Sequence, residues 1–192
     1  MLKKKKIKKN RKGFSMVEAV LSIFILSTGL IATIALISSS TRHSLDARNQ
    51  IIASQLAQEG VELVTFIRDH NIRAIKNQTI PIPGDIFEGI SGKNGDCVID
   101  FHFPADIKDA IECPPSPIEV ALKIEGWYVH GAGSGQTIFS RKINIVNSNN
   151  SPLERTFDIK SYVWWGAEPT DFSTDCTLAN KCTLAQTILT EN

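Results

Sequence analysis

A run of 24 residues near the N-terminus, 14–37, contains one charged residue, Glu18. As an α-helix this run would be about 36 Å long at roughly 1.5 Å per residue. That length exceeds the hydrocarbon core of a bilayer, which is about 30 Å thick. The run therefore predicts a transmembrane helix. Because an unpaired carboxylate in hydrocarbon is costly, Glu18 is expected to have a defined partner.

The run is preceded by a short basic leader, residues 1–13, with eight Lys and Arg residues and no acidic residue. Positive segments flanking a membrane span stay in the cytoplasm, so everything after residue 37 is expected on the other side of the membrane. Without the leader the chain has 13 basic and 20 acidic residues, a net charge of −7. This acidity argues against nucleic acid as a partner.

Four features coincide at this end of the chain. They are the basic leader, the Gly13-Phe14 pair, the acid Glu18 at the fifth position after the glycine, and an apolar run of membrane length. Together they resemble the prepilin signal of the type IV pilin superfamily, over roughly residues 1–70 of this chain.

The resemblance implies that a membrane prepilin peptidase removes the leader between Gly13 and Phe14, and that the new amino group of Phe14 is N-methylated. It implies that Glu18 neutralises the N-terminal charge of a neighbouring subunit and so sets its register in a filament. The expected partners are the peptidase, other pilin subunits that contact the N-terminal helix, and inner-membrane lipid. The chain is then a substrate of the peptidase and not an enzyme.

The apolar run has no proline, and it contains Thr28 and Gly29. In this it is similar to minor pilins of the pilus modification type. The resemblance implies a minor structural subunit of a type IV pilus or related pseudopilus. It would be a single-pass inner-membrane protein with its head outside the cytoplasm, and later part of an extracellular or periplasmic filament.

Other interpretations stay open at this point. One is a pseudopilin of a type II secretion or DNA-uptake system. Another is a membrane-anchored binding domain that never polymerises. A third is an ordinary secretory signal cleaved at the small residues 38–40, although its apolar region would be longer than usual and would contain Glu18.

Helical periodicity continues after the apolar run. Residues 38–72 are predicted to form an amphipathic helix half that continues 14–37, since no proline occurs before residue 79. Gly29 and Gly60 are candidate bends in this helix. The predicted apolar stripe consists of Leu45, Ile52, Leu56, Leu63, Phe66 and Ile67.

The remainder, residues 73–192, is predicted to be a β-rich head. Apolar and polar residues alternate over 97–103, 118–129, 139–146 and 157–165, which indicates strands buried on one face. The glycine-rich stretch 131–135 and the Asn/Ser stretch 147–151 are predicted hairpin connections. The predicted fold class is α+β: a long N-terminal α-helix packed on an antiparallel β-sheet, as in pilins.

Four cysteines follow the membrane run, in the region expected to be exported, where disulfides persist. Three pairings are open, and short sequence separation favours the local one. In the resembling pilins a disulfide-bounded C-terminal region is exposed and variable, which implies partner contacts there. The local pairing joins Cys97 with Cys113 and Cys176 with Cys182.

No catalytic, cofactor or metal motif is recognisable, so no metal and no cofactor are expected. The cysteine spacings do not match zinc sites, and the four histidines lack metalloprotease spacing. Asp100 and His102 share a predicted strand face and are a candidate polar pair. Trp164 and Trp165 are adjacent on a predicted strand, so one of the two is expected in the core and the other at the surface.

Overall fold

The computed structural model describes residues 15–79, 83–100, 109–113, 121–124, 128–130, 135–148, 155–166, 176–177 and 180–191. Over these ranges the chain forms one long helix and seven strands, and the predicted α+β class is confirmed. The elements are α1 Met16–Asn77, β1 Gly95–Ile99, β2 Ile111–Glu112, β3 Ala121–Ile124, β4 Tyr128–His130, β5 Gly135–Asn147, β6 Thr156–Trp165 and β7 Cys182–Thr190.

The chain divides into two compact units, Met1–Asp46 and Ala47–Asn192. The described part of the first unit is the N-terminal portion of α1. The second unit, which we call the head, contains the rest of α1 and all seven strands. The first buried residue of α1 is Ala53. Residues 38–46, which follow the apolar run, are therefore exposed like the described residues of that run.

In the head, α1 packs on the sheet through a seam of small and branched residues that recur at steps of three and four. The predicted stripe was right for Leu56, Leu63 and Ile67, which are buried, and wrong for Leu45 and Phe66, which are 53% and 43% exposed. Several of the buried helix positions are occupied by small residues, which the predicted stripe of large apolar side chains did not include. The seam is Ala53, Leu56, Ala57, Gly60, Leu63, Val64, Ile67, Asn71 and Ala74.

The helix ends five residues beyond the predicted end at residue 72. Gln78 has a left-handed backbone with φ of 50°. The Thr79 N–H donates to the Ala74 carbonyl at 3.0 Å, and the Gln78 N–H donates to the Ile75 carbonyl at 3.3 Å. This is the Schellman arrangement that satisfies the last carbonyls of a helix. The seam itself extends to Ala74, so burial holds the helix together up to this cap.

The polar member of the seam, Asn71, attaches the following segment to the helix. Its side-chain amide donates to the carbonyl oxygens of Ile86 at 3.1 Å and Glu88 at 2.9 Å. Both bonds reach the segment 83–94, which brings Phe87 and Ile90 into the core with no exposed surface. An amide that is 99% buried is tolerated because its donors are paired.

β5 is the hub of the antiparallel sheet. It pairs with β6 over residues 139–147, and it pairs with β1 and β3 over 143–145 and 135–140. Because β6 overlaps both of these stretches, β1 and β3 must share the opposite edge of β5. β2 then flanks β1, β4 flanks β3, and β7 flanks β6 along nine residue pairs.

One predicted strand and one predicted hairpin differ from the observed fold. The strand predicted over 118–129 is interrupted: β3 and β4 pair antiparallel, with Ile124 opposite Tyr128. The stretch 131–135 joins β4 to β5, but β3 lies between those strands, so it is not a hairpin. The predicted hairpin at 147–151 is confirmed, since β5 pairs with β6 and the Ser148 N–H donates to the Thr156 carbonyl at 2.8 Å.

Strand alternation correctly predicted the helix-facing side of β5 and β6. Both strands place every second residue towards the core, and all the apolar ones at these positions are buried. Two polar residues lie between these apolar ones on the same face, Arg141 on β5 and Ser161 on β6, and both are fully buried. The apolar members are Phe139, Ile143 and Ile145 on β5, and Phe157, Ile159, Val163 and Trp165 on β6.

The local disulfide pairing is confirmed. Cys97 bonds to Cys113, which joins β1 to the residue after β2, with 4.1 Å between the Cα atoms. Cys176 bonds to Cys182, the first residue of β7, with 5.0 Å between the Cα atoms. Both links close short loops in the head.

Gly60 lies where the helix is in close contact with the sheet. A Cβ atom at this position would lie 2.5 Å from Ser161 Oγ and 3.0 Å from Ile143 Cδ1. We therefore expect Gly60→Ala to lower the free energy of unfolding by about 1–3 kcal/mol through overpacking, despite alanine's higher helix propensity. Thermal unfolding of the full chain in detergent measures this.

Gly29 is the matched control in the same helix, because a Cβ atom there would meet nothing within 4 Å. Gly29→Ala should leave the melting temperature of the head unchanged. Adding Ser161→Ala to Gly60→Ala removes the closest clash and should recover part of the loss. If Gly60→Ala is as stable as the wild type, close packing at this point is not required.

Candidate functional site

The first candidate site is the N-terminal part of α1, whose apolar side chains face outward on every side. None of them is buried, and by length and composition this part of the helix is able to cross a membrane. A helix that is apolar all round needs lipid or protein around it. The exposed large side chains are Met16, Val17, Val20, Leu21, Ile23, Phe24, Ile25, Leu26, Leu30, Ile31, Ile34, Leu36 and Ile37.

The hydroxyl groups within this segment bond to the helix itself. Ser22 Oγ donates to the Glu18 carbonyl at 2.7 Å, and Ser27 Oγ donates to the Phe24 carbonyl at 2.9 Å. Thr28 and Thr33 donate in the same way to carbonyls three or four residues earlier. These donors therefore add no unsatisfied polar group in an apolar medium.

Glu18 lies in the first turn of α1 and is exposed. The positive end of the helix dipole favours a carboxylate at this position. Within the described residues no hydrogen bond or ion pair of its carboxylate is found. Gly13 and Phe14, the predicted cleavage and methylation residues, lie outside the described residues.

The head contains a second candidate, a buried polar junction that the sequence analysis missed. Arg141 lies on β5 between Phe139 and Ile143, with its side chain on the helix-facing side and 0% exposed. Its Nη1 donates to Glu59 Oε1 on α1 at 3.0 Å, and its Nη2 donates to the Ile99 carbonyl at the end of β1 at 2.7 Å. One guanidinium thus bridges helix and sheet.

The junction continues to β4. The Asp100 carboxylate lies 3.8 Å from Arg141 Nη2 and accepts the backbone N–H of His130 at 3.0 Å. His130 Nδ1 lies 2.5 Å from Asp100, and its Nε2 lies 3.0 Å from the Arg141 carbonyl. Asp100 is therefore paired with His130. The predicted partner, His102, lies outside the described residues.

We call Glu59, Arg141, Asp100 and His130 the polar junction. Two carboxylates and the backbone carbonyls of Leu56 and Ile99 surround one guanidinium, so both of its terminal nitrogens have partners, while Nε has none among the described residues. The group contains no nucleophile next to a base. Its clearest sequence signal is an arginine at an inward position of an alternating apolar strand.

The opposite face of the sheet has an aromatic and cationic cluster. Lys142 Nζ lies 5.6 Å from the Tyr162 ring centroid and 5.8 Å from that of Trp164, and it bonds to Asp96 at 3.0 Å. The two rings stack at 5.8 Å. Trp164 and Trp165 are 7% and 5% exposed, so both are buried, on opposite faces of the sheet, and the expectation that one would lie at the surface was wrong.

An ion-pair cluster joins three chain segments at the end of the sheet. Arg155, just before β6, donates from Nη2 to Asp85 Oδ1 at 2.9 Å and to Glu191 Oε1 at 2.8 Å. Its guanidinium carbon lies 5.4 Å from the Phe87 ring centroid. The hydrogen bond from Arg155 lowers the pKa of Asp85 and that of Glu191, and the hydrogen bonds to Glu191 and Asp85 raise the pKa of Arg155.

Among the described residues, no group of three or more His, Cys, Asp or Glu side chains is arranged to hold a metal ion. His43 and His70 lie on α1, and His130 belongs to the polar junction. All four cysteines are in disulfides.

Comparisons with known proteins do not place the chain in a family. No protein-family model matches it, and no curated protein or solved structure matches it significantly. Its function is therefore inferred from its own residues.

For the polar junction we expect Arg141→Met to lower the free energy of unfolding by about 3 kcal/mol, because two carboxylates and two carbonyls lose their buried partner. The matched control is Lys142→Met on the opposite face, whose partner Asp96 is about as exposed as Glu59, at 41% against 38%, so the comparison measures what the bonds from Arg141 to main-chain carbonyls add. That change should cost only about 1 kcal/mol. Denaturant titration of the full chain in detergent measures both. Equal losses would show that the junction has no special role.

Asp85→Asn tests the Arg155 cluster through pH. The hydrogen bond from Arg155 holds the pKa of Asp85 below the usual range of an aspartate in the folded state, so its contribution to stability is present above about pH 4 and is lost as pH falls through the folded-state pKa. At pH 7 the variant should be about 1 kcal/mol less stable than the wild type. The difference should shrink towards pH 2. A constant difference across this range would contradict the assignment.

Proposed function

We propose that this chain is a structural subunit of a type IV pilus or related pseudopilus, of the minor type, and that it is anchored and assembled through α1. The observation that supports this most is the apolar segment itself. It is exposed on all sides, carries Glu18 as its one charged residue, and continues without a break into the helix that forms the core of the head.

The physical argument begins with solvation. A segment with 13 exposed large apolar side chains is stable in lipid before assembly and against other helices after assembly. A filament subunit needs both states, because the same surface passes from membrane to fibre. The helix also crosses residues 38–40 without interruption, which supports retention of the segment over cleavage after it.

Glu18 has the chemistry to direct assembly. Cleavage after Gly13 frees an α-amino group on Phe14, four residues before Glu18, and N-methylation leaves that amine positively charged. A carboxylate in hydrocarbon is costly unless a cation matches it. An incoming subunit that supplies the amine to Glu18 of its neighbour removes this penalty for both groups and selects one axial register.

The head suits an exported location. Its two disulfides are of a kind that persists in an oxidising compartment, and a basic leader favours the cytoplasmic side, which supports a head on the other side of the inner membrane. The proposed partners are the prepilin peptidase, other subunits and membrane lipid. The chain serves as a substrate and building block and performs no catalysis.

Mass spectrometry of the mature N-terminus separates the candidate functions. An N-methylated Phe14 supports a pilus or pseudopilus subunit. A retained Met1 would indicate a plain membrane anchor, and a start near residues 39–41 would indicate a secreted protein. Either of the last two results overturns the proposal.

Glu18→Ala tests assembly directly. We expect leader cleavage to remain intact and incorporation into filaments to fall by at least about tenfold, since the incoming amine would lose its partner in an apolar medium. Glu62→Ala is the matched control, because Glu62 is an exposed acid of the same helix in the head. Quantitative immunoblots of sheared filaments measure incorporation. Wild-type incorporation of the Glu18 variant would refute the register role.

A further inference from the structure

The sheet has one long edge strand in the described part of the chain, β7. The strands at its other edge are short, two residues in β2 and three in β4. β7 has nine residues and contains no charge, proline or glycine. Natural edge strands are usually protected by charges, prolines or short length, because their unpaired backbone groups bind other strands. β7 lacks all three protections.

The hydrogen-bond pattern shows which residues direct their backbone groups outward. The Trp165 N–H donates to the Lys181 carbonyl at 3.0 Å, so odd-numbered residues next to and within β7 direct their groups towards β6. Even-numbered residues then direct theirs to the outer edge. The Cys182 N–H agrees, since it donates away from β6 to the Thr177 carbonyl at 3.1 Å. After Cys182, the residues of β7 whose backbone N–H and C=O groups point to the outer edge are Leu184, Gln186, Ile188 and Thr190.

These residues are symmetric about Gln186. Leu184 and Ile188 lie two positions to either side, on one face, and are 43% and 60% exposed. A two-fold axis at Gln186 would place each Leu184 opposite Ile188 of the other copy, and the two Gln186 residues opposite each other. All of these are outward-facing residues, so the pairs would exchange about six backbone hydrogen bonds. Cross-strand contact between Leu184 and Ile188 would cover both exposed side chains.

The flanking charges are complementary in the same register. Lys181 and Glu191 are exposed and lie five positions on either side of Gln186. Glu191 is already bound by Arg155, but the cluster of Asp85, Arg155 and Glu191 has two acids and one base and so keeps a net negative charge. The same two-fold axis brings Lys181 of one copy opposite Glu191 of the other at each end. Opposite charges at matching positions favour this register over a shifted one.

We propose that β7 pairs antiparallel with β7 of a second copy of this chain, on a two-fold axis at Gln186. The contact closes at two copies, so it does not build a filament, and it is independent of the function proposed above. One strand pair buries less than the roughly 1,200 Å² of a stable interface, so the pairing is weak and requires a high local concentration, such as that of chains held in a membrane.

Cysteine cross-linking of the full chain in membranes of expressing cells tests both the partner and the register. Opposed residues in a hydrogen-bonded antiparallel pair have Cα atoms about 5.5 Å apart, which a disulfide spans. Gln186→Cys should therefore give a cross-linked dimer under mild oxidation. Leu184→Cys alone should not, because its copies would be about 13 Å apart along the strands. Leu184→Cys mixed with Ile188→Cys should cross-link.

Two further variants control for chance collision and for folding. Val146→Cys is an exposed position on β5, on the same sheet face, and should give no dimer. In the Gln186→Cys background, Ile188→Lys should abolish the dimer band, while Ile138→Lys, at an exposed isoleucine of β5, should leave it unchanged.

Three results would overturn the proposal. The first is a Gln186→Cys chain that remains monomeric in these membranes. The second is dimerisation of Leu184→Cys with itself, which would mean a different register or a parallel pairing. The third is cross-linking of Gln186→Cys to a different protein, which would assign the edge to another partner.

Discussion

The head depends on how a buried guanidinium and a helix seam of small residues fit together. Arg141 points from the middle of β5 towards α1, where apolar side chains surround it, and its charge is satisfied by Glu59, Asp100 and the carbonyl of Ile99. Those partners come from α1 and from the end of β1 together with the residue that follows it. The guanidinium therefore favours one position of the helix on the sheet, because a shift along the seam would leave a buried charge without its partners.

The close approach of α1 to the sheet lets Arg141 reach its partner on the helix. Gly60 lets α1 come within contact of Ser161 and Ile143, and Ala53 and Ala57 are seam residues of similarly small size. The same helix has two environments along its length. Its C-terminal part is buried on one face by the sheet, and its N-terminal part is apolar on every face and exposed among the described residues. The N-terminal segment thus presents an apolar surface that lipid or protein would stabilise.

Strand alternation predicted the buried faces of β5 and β6 because period-two patterning depends only on which residues are apolar. It did not predict strand order. The stretch 131–135 has the composition of a hairpin, yet β3 lies between β4 and β5. Short sequence separation favoured the observed disulfides among three open pairings, while the burial of Trp164 depended on Lys142 and Tyr162, which the fold brings beside it.

The sequence by itself determined the long helix, its apolar first part with a single acid and the α+β class. These features follow from local patterns that hold whatever the neighbours are. Only the tertiary structure decided that small residues form the helix seam, that Arg141 joins helix to sheet, and that β7 is left as a long, uncharged edge. Each of these depends on contacts between residues far apart in the chain, and local periodicity contains no information about which distant strand becomes a neighbour.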